Sequence, residues 1–281
     1  MNNVAVLNAV ESSSKGNSVA QLFHRLNRVI PEHQEITFVA PTTPVSEALQ
    51  TMKKMGYSQL PVVEGKAVLG MFSYRSFALG IVGLGKLKPE IAAMTVEDFV
   101  EKAVFARITD EFKAVFDTLD VDGAVFIGEQ DRLQGVVTAI DVLRYLYGVA
   151  SPFVLVAEIE LALRALISIA VNDEHLIDCA KRALVSKYTE DRMPTTVGEM
   201  EFNDYIQLVG NGDNWQHFEL VFGGMRQTVR AKLEDIRDLR NSIFHFKREL
   251  TWEDHENLAQ YRDWVLMRAR RSDALKKGGQ V

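Results

Sequence analysis

Apolar and polar residues alternate along this chain in two rhythms, and the change comes near residue 150. Before it, short apolar runs are set off by turn residues. After it, apolar positions recur at spacings of three and four over long stretches. The first rhythm predicts strands and short helices, the second amphipathic helices packed side by side.

Residues 36–79 and 103–144 follow one plan, offset by about 65 residues. In the first copy the run ITFVA leads to Thr43-Pro44, read as a helix cap followed by a first-turn proline. Val45, Leu49, Met52 and Met55 then keep helical spacing. QLPVV and AVLGMF follow as two strands around a Glu64-Gly65 turn, and a second helix begins near Ser73. The second copy runs VFARIT, then Thr109 and a helix carrying Phe112, Val115, Phe116 and Leu119. GAVFI and LQGVVT make its strand pair, and a helix from Ala139 to Tyr147 closes it. Each copy is therefore strand, helix, strand, strand, helix. Two such units bury their sheets against each other and form one domain.

From Ser151-Pro152 onward the pattern is helical. FVLVAEIELALRALISIAV predicts one apolar helix, interrupted by Glu158, Glu160 and Arg164. Glu160 and Arg164 form a favourable i,i+4 pair, so this is a bundle helix and not a membrane span. Further helices are expected over about 173–188 and 199–209, over a long segment at about 215–247, and from Thr251, where Asp254 completes a cap. Thr189 to Gly198 reads as a polar loop and NGDN at 211–214 as a turn. The chain is α+β by class, with domains over 1–150 and 151–281.

Composition narrows the setting. The 281 residues are 47% hydrophobic and 25% charged, enough for two cores. Cys179 is the only cysteine, which excludes an intrachain disulfide and a cysteine metal cluster and suits a reducing cytoplasm. The opening MNNVAVLNAVESSSKGN has no long apolar region, so a soluble cytoplasmic protein without a membrane anchor is expected. The net charge of -6 is spread over both halves, so neither is a basic nucleic-acid module. Segment 225–248 departs locally, with Arg226, Arg230, Lys232, Arg237, Arg240, Lys247 and Arg248 against three acidic residues, which reads either as a strip for an RNA backbone or as the solvated face of the helix. The terminal basic residues Arg268, Arg270, Arg271, Lys276 and Lys277 read as a solvated, frayed end.

The densest chemistry is RNSIFH. Arg240, Asn241 and His245 place a permanent cation, an amide and a titratable imidazole within six residues. Arg-x4-His alone is weak, with roughly 0.4 matches expected by chance, and Arg28 to His33 is a decoy interrupted by Pro31. Requiring Asn after the Arg lowers the expectation to about 0.015. Met225, Val229, Leu233, Ile236, Leu239, Ile243 and Phe246 form the apolar stripe of the helix that carries the motif. On that helix Asn241 and His245 share a face, whereas Arg240 and His245 diverge by roughly 140°. Either the helix breaks there or a second copy of the chain completes the site.

The N-terminal repeat resembles a tandem cystathionine-beta-synthase (CBS) pair, the Bateman module, over about residues 15–148. QLPVV followed by Gly70 is similar to that family's strand pair, and GVVTAID, with Gly135, Thr138 and Asp141, to its G-x-x-T/S-x-x-D ribose-phosphate signature. The resemblance implies an adenine nucleotide (ATP, ADP, AMP or a related compound) as regulatory ligand. Thr138 would bond a phosphate oxygen at the helix N-terminus and Asp141 the ribose hydroxyls. The first copy keeps Gly70 and Ser73 but has Ser76 where the acid belongs, so one competent site is expected. The same residues also fit a plain helix cap with a first-turn acid.

The helical half resembles the HEPN superfamily, closest to its Swt1-like branch by EIELALR and RN-x3-H, over about 151–270. The resemblance implies a metal-independent ribonuclease of toxin type, acting on RNA as a homodimer with the motif from both chains at a shared cleft; whether an antitoxin or other partner protein joins it is not legible. Arg240 would stabilise charge on the phosphate, His245 would act as general acid or base, and Asn241 would orient them. The alternative is a ligand-sensing regulatory protein whose helical domain dimerises or docks a partner.

Overall fold

The computed structural model describes residues 6–7, 25–30, 34–85, 90 and 93–278. Pro31 and His33 of the decoy motif, most of the opening segment and the start of the CBS-like region lie outside the described residues. So do the side chains of Lys276 and Lys277. The architecture is mixed helix and strand, mostly helical, and divides into two compact units, Met1–Tyr147 and Gly148–Val281.

In the first unit the two copies superpose in plan. The first comprises β2 (Ile36–Thr37), which pairs antiparallel with β1 (Val6–Leu7), then α1 (Val45–Met55), β3 (Gln59–Glu64), β4 (Ala67–Ser73) and α2 (Tyr74–Gly83). The second comprises β5 (Phe105–Ala106), α3 (Phe116–Asp122), β6 (Ala124–Glu129), β7 (Arg132–Thr138) and the start of α4 (Ala139–Ala170). β3–β4 and β6–β7 are antiparallel hairpins with their registers broken at matching places, Val62/Val63 and Ile127/Gly128. Gly65 makes the first turn with φ +61, a conformation that glycine adopts without strain. A parallel partner joins each hairpin, Val39 opposite Val62 and β5 beside β6.

Packing follows from the strand alternation. Met52 of α1 packs with Leu60, Val62 and Phe72 in the first copy, and Leu119 of α3 with Val125, Ile127 and Val137 in the second. The opposite sheet faces meet: Val63, Val68 and Met71 share one buried cluster with Ala124 and Phe126. Each such side chain contributes about 1.5–3 kcal/mol on burial. Backbone bonds reinforce the contact, with Val68 N–H donating to the Gln130 carbonyl at 2.7 Å.

Some local expectations are corrected. Thr43 does not cap α1; Pro44 occupies that position, and the Thr43 hydroxyl accepts from the Ala40 amide at 3.1 Å to close a preceding turn. Residues 112–115 form a 3-10 turn before α3, which leaves Phe116 exposed.

The second unit contains the rest of α4, α5 (Asp173–Leu184), α6 (Phe202–Gly210), α7 (Trp215–Phe222), α8 (Arg226–Phe244) and α9 (Trp252–Gly278) around one core that includes Leu163, Leu166, Phe218, Leu233, Ile236 and Leu258. α4 is one 32-residue helix with Pro152 inside it, so the expected break at Ser151-Pro152 is absent. A proline removes one bond of the ladder, about 3 kcal/mol, and the buried apolar stretch beyond it holds the helical path. The single helix expected over 215–247 is two, because Gly223 and Gly224 both adopt positive φ. Met225 consequently precedes α8 and is exposed, and Phe246 lies beyond it at φ +48, also exposed. α5 ends at Leu184, whose carbonyl accepts from the amides of Lys187 and Tyr188. Arg268 is not free in solvent; its guanidinium packs over Gly223, where a Cβ would stand 2.6 Å from it. Among the described residues no helix is long and apolar enough to cross a membrane.

Candidate functional sites at two helix ends

The signature residues of the first unit converge on the N-terminus of α4. Thr138 N–H donates to Asp141 Oδ2 at 2.9 Å, the Thr138 hydroxyl donates to the same oxygen, and the Asp141 amide points back at the hydroxyl at 3.4 Å. This reciprocal arrangement caps the helix. It leaves Asp141 Oδ1 without a hydrogen-bond partner among the described residues, on a half-buried side chain, so one carboxylate oxygen is available to a hydroxyl donor.

The equivalent end in the first copy is built the same way and is closed. Ser73 Oγ accepts from the Ser76 amide at 2.9 Å, while Ser76 Oγ accepts from the Ser73 amide at 2.9 Å and donates to the Ser73 carbonyl at 3.0 Å. Both serines are buried and neither carries charge. Ser73 and Thr138 occupy the same place in the repeat, but only the second copy offers a carboxylate oxygen without a partner among the described residues.

The glycines serve chain crossings. A Cβ on Gly70 would stand 2.3 Å from the Glu101 carbonyl oxygen, and one on Gly135 would stand 2.8 Å from Gln34 Oε1. Met71 exchanges two backbone bonds of 2.9 Å with Glu101. Val136, its counterpart, exchanges two 3.0 Å bonds with the side-chain amide of Gln34. An amide side chain thus stands in for a peptide unit, a role that sequence pattern does not reveal.

The other motif occupies the C-terminus of α8. Arg240 is on the helix, and its guanidinium lies over the rings of Phe244 at 5.0 Å and Phe202 at 6.0 Å. Its Nε is buried without a hydrogen bond, 3.6 Å from Glu160 Oε2. The other Glu160 oxygen accepts from Arg164 Nη2 at 2.6 Å, and Arg164 Nε donates to Tyr205 Oη at 2.8 Å. The Tyr205 hydroxyl, held up from its usual ionisation first by burial, lies near the Val197 and Met200 carbonyls. The expected Glu160–Arg164 pair is present; its link to Arg240, some 80 positions away, was not legible.

The helix ends between the two motif ends. His245 is the C-cap residue at φ -101, its amide donating to the Asn241 carbonyl at 3.2 Å, and its ring is exposed. Among the described residues the ring has no hydrogen bond to Arg240 or Asn241. Of the two alternatives that the 140° divergence left open, the break is observed.

Residues 19–83 match the family model described as "CBS domain". The chain is 25% identical over 228 residues to the uncharacterized protein MJ1225 of Methanocaldococcus jannaschii, covering 74% of this chain and 79% of that protein. The solved structure of MJ1225 aligns with a TM-score of 0.38 at 20% identity, over 45% of this chain and 49% of that one. A structure of CBSX2 in complex with AMP aligns with a TM-score of 0.38 at 19% identity, over 44% of this chain and 96% of that one. Residues 19–83 of this chain are a CBS domain.

Proposed function

We propose that the first unit binds an adenine nucleotide at Thr138 and Asp141, and that the second is a metal-independent RNA endonuclease whose activity the nucleotide biases. The nucleotide reading is supported by the free oxygen of Asp141 beside the amides of a helix N-terminus. CBSX2, a similar protein, was solved with AMP. The phosphate takes the N–H groups and Thr138, and the ribose hydroxyls donate to Asp141. A nucleotide changes activity only through its differential affinity for two states of the protein.

One observation carries the ribonuclease reading: α8 ends between Arg240, whose guanidinium lies on an aromatic bed, and the exposed imidazole of His245. Arg240 grips the phosphodiester. His245 takes the proton from the ribose 2′-hydroxyl, O2′ attacks phosphorus, and the P–O5′ bond breaks as a proton is returned to O5′. The products are a 2′,3′-cyclic phosphate and a 5′-hydroxyl. Asn241 is half-buried one turn before His245 and orients it.

Two imidazoles, one taking and one giving the proton, are supplied by a homodimer. Ala150, Val154, Ala157, Leu161 and Ala165 form an exposed apolar stripe on α4 at spacings of three and four, with Val154 54% and Leu161 64% exposed. A stripe of alanines with larger residues between them suits close packing against its own copy. The same stripe favours the second reading, a nucleotide-sensing protein whose helical unit only dimerises or docks a partner. Incubating mixed RNA with the protein in EDTA, with and without AMP or ATP, separates the two. Cleavage to cyclic-phosphate ends supports the nuclease, and intact RNA leaves the regulatory module.

A further inference from the structure

Arg164 lies beside the motif without belonging to it. Its Nε is bound to Tyr205 and its Nη2 to Glu160, which fixes the plane of the guanidinium. Its Nη1 has no partner among the described residues, and the side chain is 38% exposed. Arg240, 30% exposed, approaches the other oxygen of the same carboxylate and leaves its Nε unbonded. Two guanidiniums therefore share one carboxylate, and the cluster keeps a surplus of one positive charge. Their unbonded N–H groups flank Glu160 from two helices. The surplus stands at a helix C-terminus, where backbone carbonyls repel an anion, so side chains alone must supply the attraction.

We infer that Arg164 and Arg240 together hold one phosphodiester of a single-stranded RNA, with Glu160 as the residue that sets their spacing and competes with the phosphate for them. Tyr205 and Glu160 hold the Arg164 guanidinium through Nε and Nη2, which preorganises Nη1 for one phosphate oxygen while Arg240 takes another. This rests on the ribonuclease reading for the identity of the anion, and the two fail separately.

The experiment uses the full chain and a 2′-O-methyl RNA oligonucleotide, which binds and cannot be cut, with affinity measured against salt concentration. For a single strand, the slope of log K against log salt changes by about 0.7 for each phosphate that the protein neutralises. R164Q and R240Q should each weaken binding and make the slope shallower by a part of that amount, and the double variant by about 0.7 in all, the value for the one phosphate that the pair holds. R192Q, a highly exposed arginine outside the cluster, should change neither. E160Q should move in the opposite direction and tighten binding, because it removes the phosphate's competitor. That opposite sign keeps the inference testable if R164Q fails to fold without its Tyr205 bond. An unchanged slope in folded R164Q, or unchanged or weakened binding in E160Q, overturns it even where the wild type cuts ordinary RNA. Wild-type protein that shows the slopes but leaves ordinary RNA intact overturns the nuclease and retains the phosphate site. Absence of any binding by the wild type overturns the inference outright.

Discussion

The two candidate sites stand at opposite kinds of helix end, and the difference decides what their side chains must do. At the N-terminus of α4 the backbone presents free N–H groups and a partial positive charge, so a phosphate needs little from side chains. Thr138 and Asp141 cap the helix there, and under the proposed function Asp141 also reads the ribose. At the C-terminus of α8 the backbone presents carbonyls, and an anion there depends wholly on cations carried by side chains. Arg240 and Arg164 answer that requirement, steadied by Phe244, Tyr205 and Glu160.

The contrast breaks most visibly where side chains carry everything. Arg240→Ala and His245→Ala should each lower RNA cleavage in EDTA by about 10²–10⁴-fold, with unchanged far-ultraviolet circular dichroism. Arg240→Lys should recover little, since a point charge cannot span two oxygens. Cleavage that persists in the double variant, or that requires Mg²⁺, overturns the assignment of metal-independent cleavage to Arg240 and His245.

The shared-site requirement comes next. Leu161→Arg should dissociate the dimer at micromolar concentration in sedimentation, because it places a charge in the centre of the exposed stripe of α4. It should also depress cleavage, although residue 161 does not take part in the network around Arg240. A wild-type monomer that cuts RNA would show that one broken helix end suffices.

At the α4 N-terminus the expected effects are smaller and unequal. Asp141→Ala should weaken AMP or ATP binding by about 1.5–3 kcal/mol in calorimetry, the worth of hydrogen bonds to a charged group. Thr138→Ala should cost less, since the backbone amides remain to bind phosphate. Ser76→Ala should leave nucleotide affinity unchanged, because the first copy offers no open acceptor. A larger loss from Thr138→Ala than from Asp141→Ala would reverse the division of labour argued for this helix end.

How much of this the sequence disclosed follows the range of each interaction. The repeat was legible because strand alternation, hairpin glycines and the Thr138/Asp141 cap are local patterns, and the 65-residue offset compares them with one another. The end of α8 was legible only as an alternative, because termination there rests on Phe246 adopting positive φ, which no local signal announces. Pro152 misled in the other direction, since a local breaker was outweighed by the buried stretch that follows it. The Glu160–Arg240 and Gln34–Val136 contacts join segments far apart in sequence, so only the fold brings them together.

A third helix end supplies the smallest and best isolated test, because α9 provides its own anion. Thr251 N–H donates to Asp254 Oδ2 at 2.7 Å, the Asp254 amide donates to Thr251 Oγ1 at 3.2 Å, and Arg248 Nη2 donates to Asp254 Oδ1 at 2.9 Å. Arg248, ahead of the Thr251 bonds, holds the Asp254 carboxyl well below the usual carboxylate range despite its burial. A depressed folded value means that the ionised carboxylate favours the folded state. This stability is complete above the unfolded value of about 3.9 and is lost as pH falls through the folded value. Thr251→Ala should cost roughly 0.5–2 kcal/mol at neutral pH, read as a lower midpoint in urea. Asp254→Asn keeps an oxygen for the Thr251 amide and loses the charge, so its stability deficit against wild type should shrink as pH is lowered below about 4. A deficit that stays constant across that range would mean that the helix end gains nothing from the charge, and would weaken the electrostatic half of the comparison between α4 and α8.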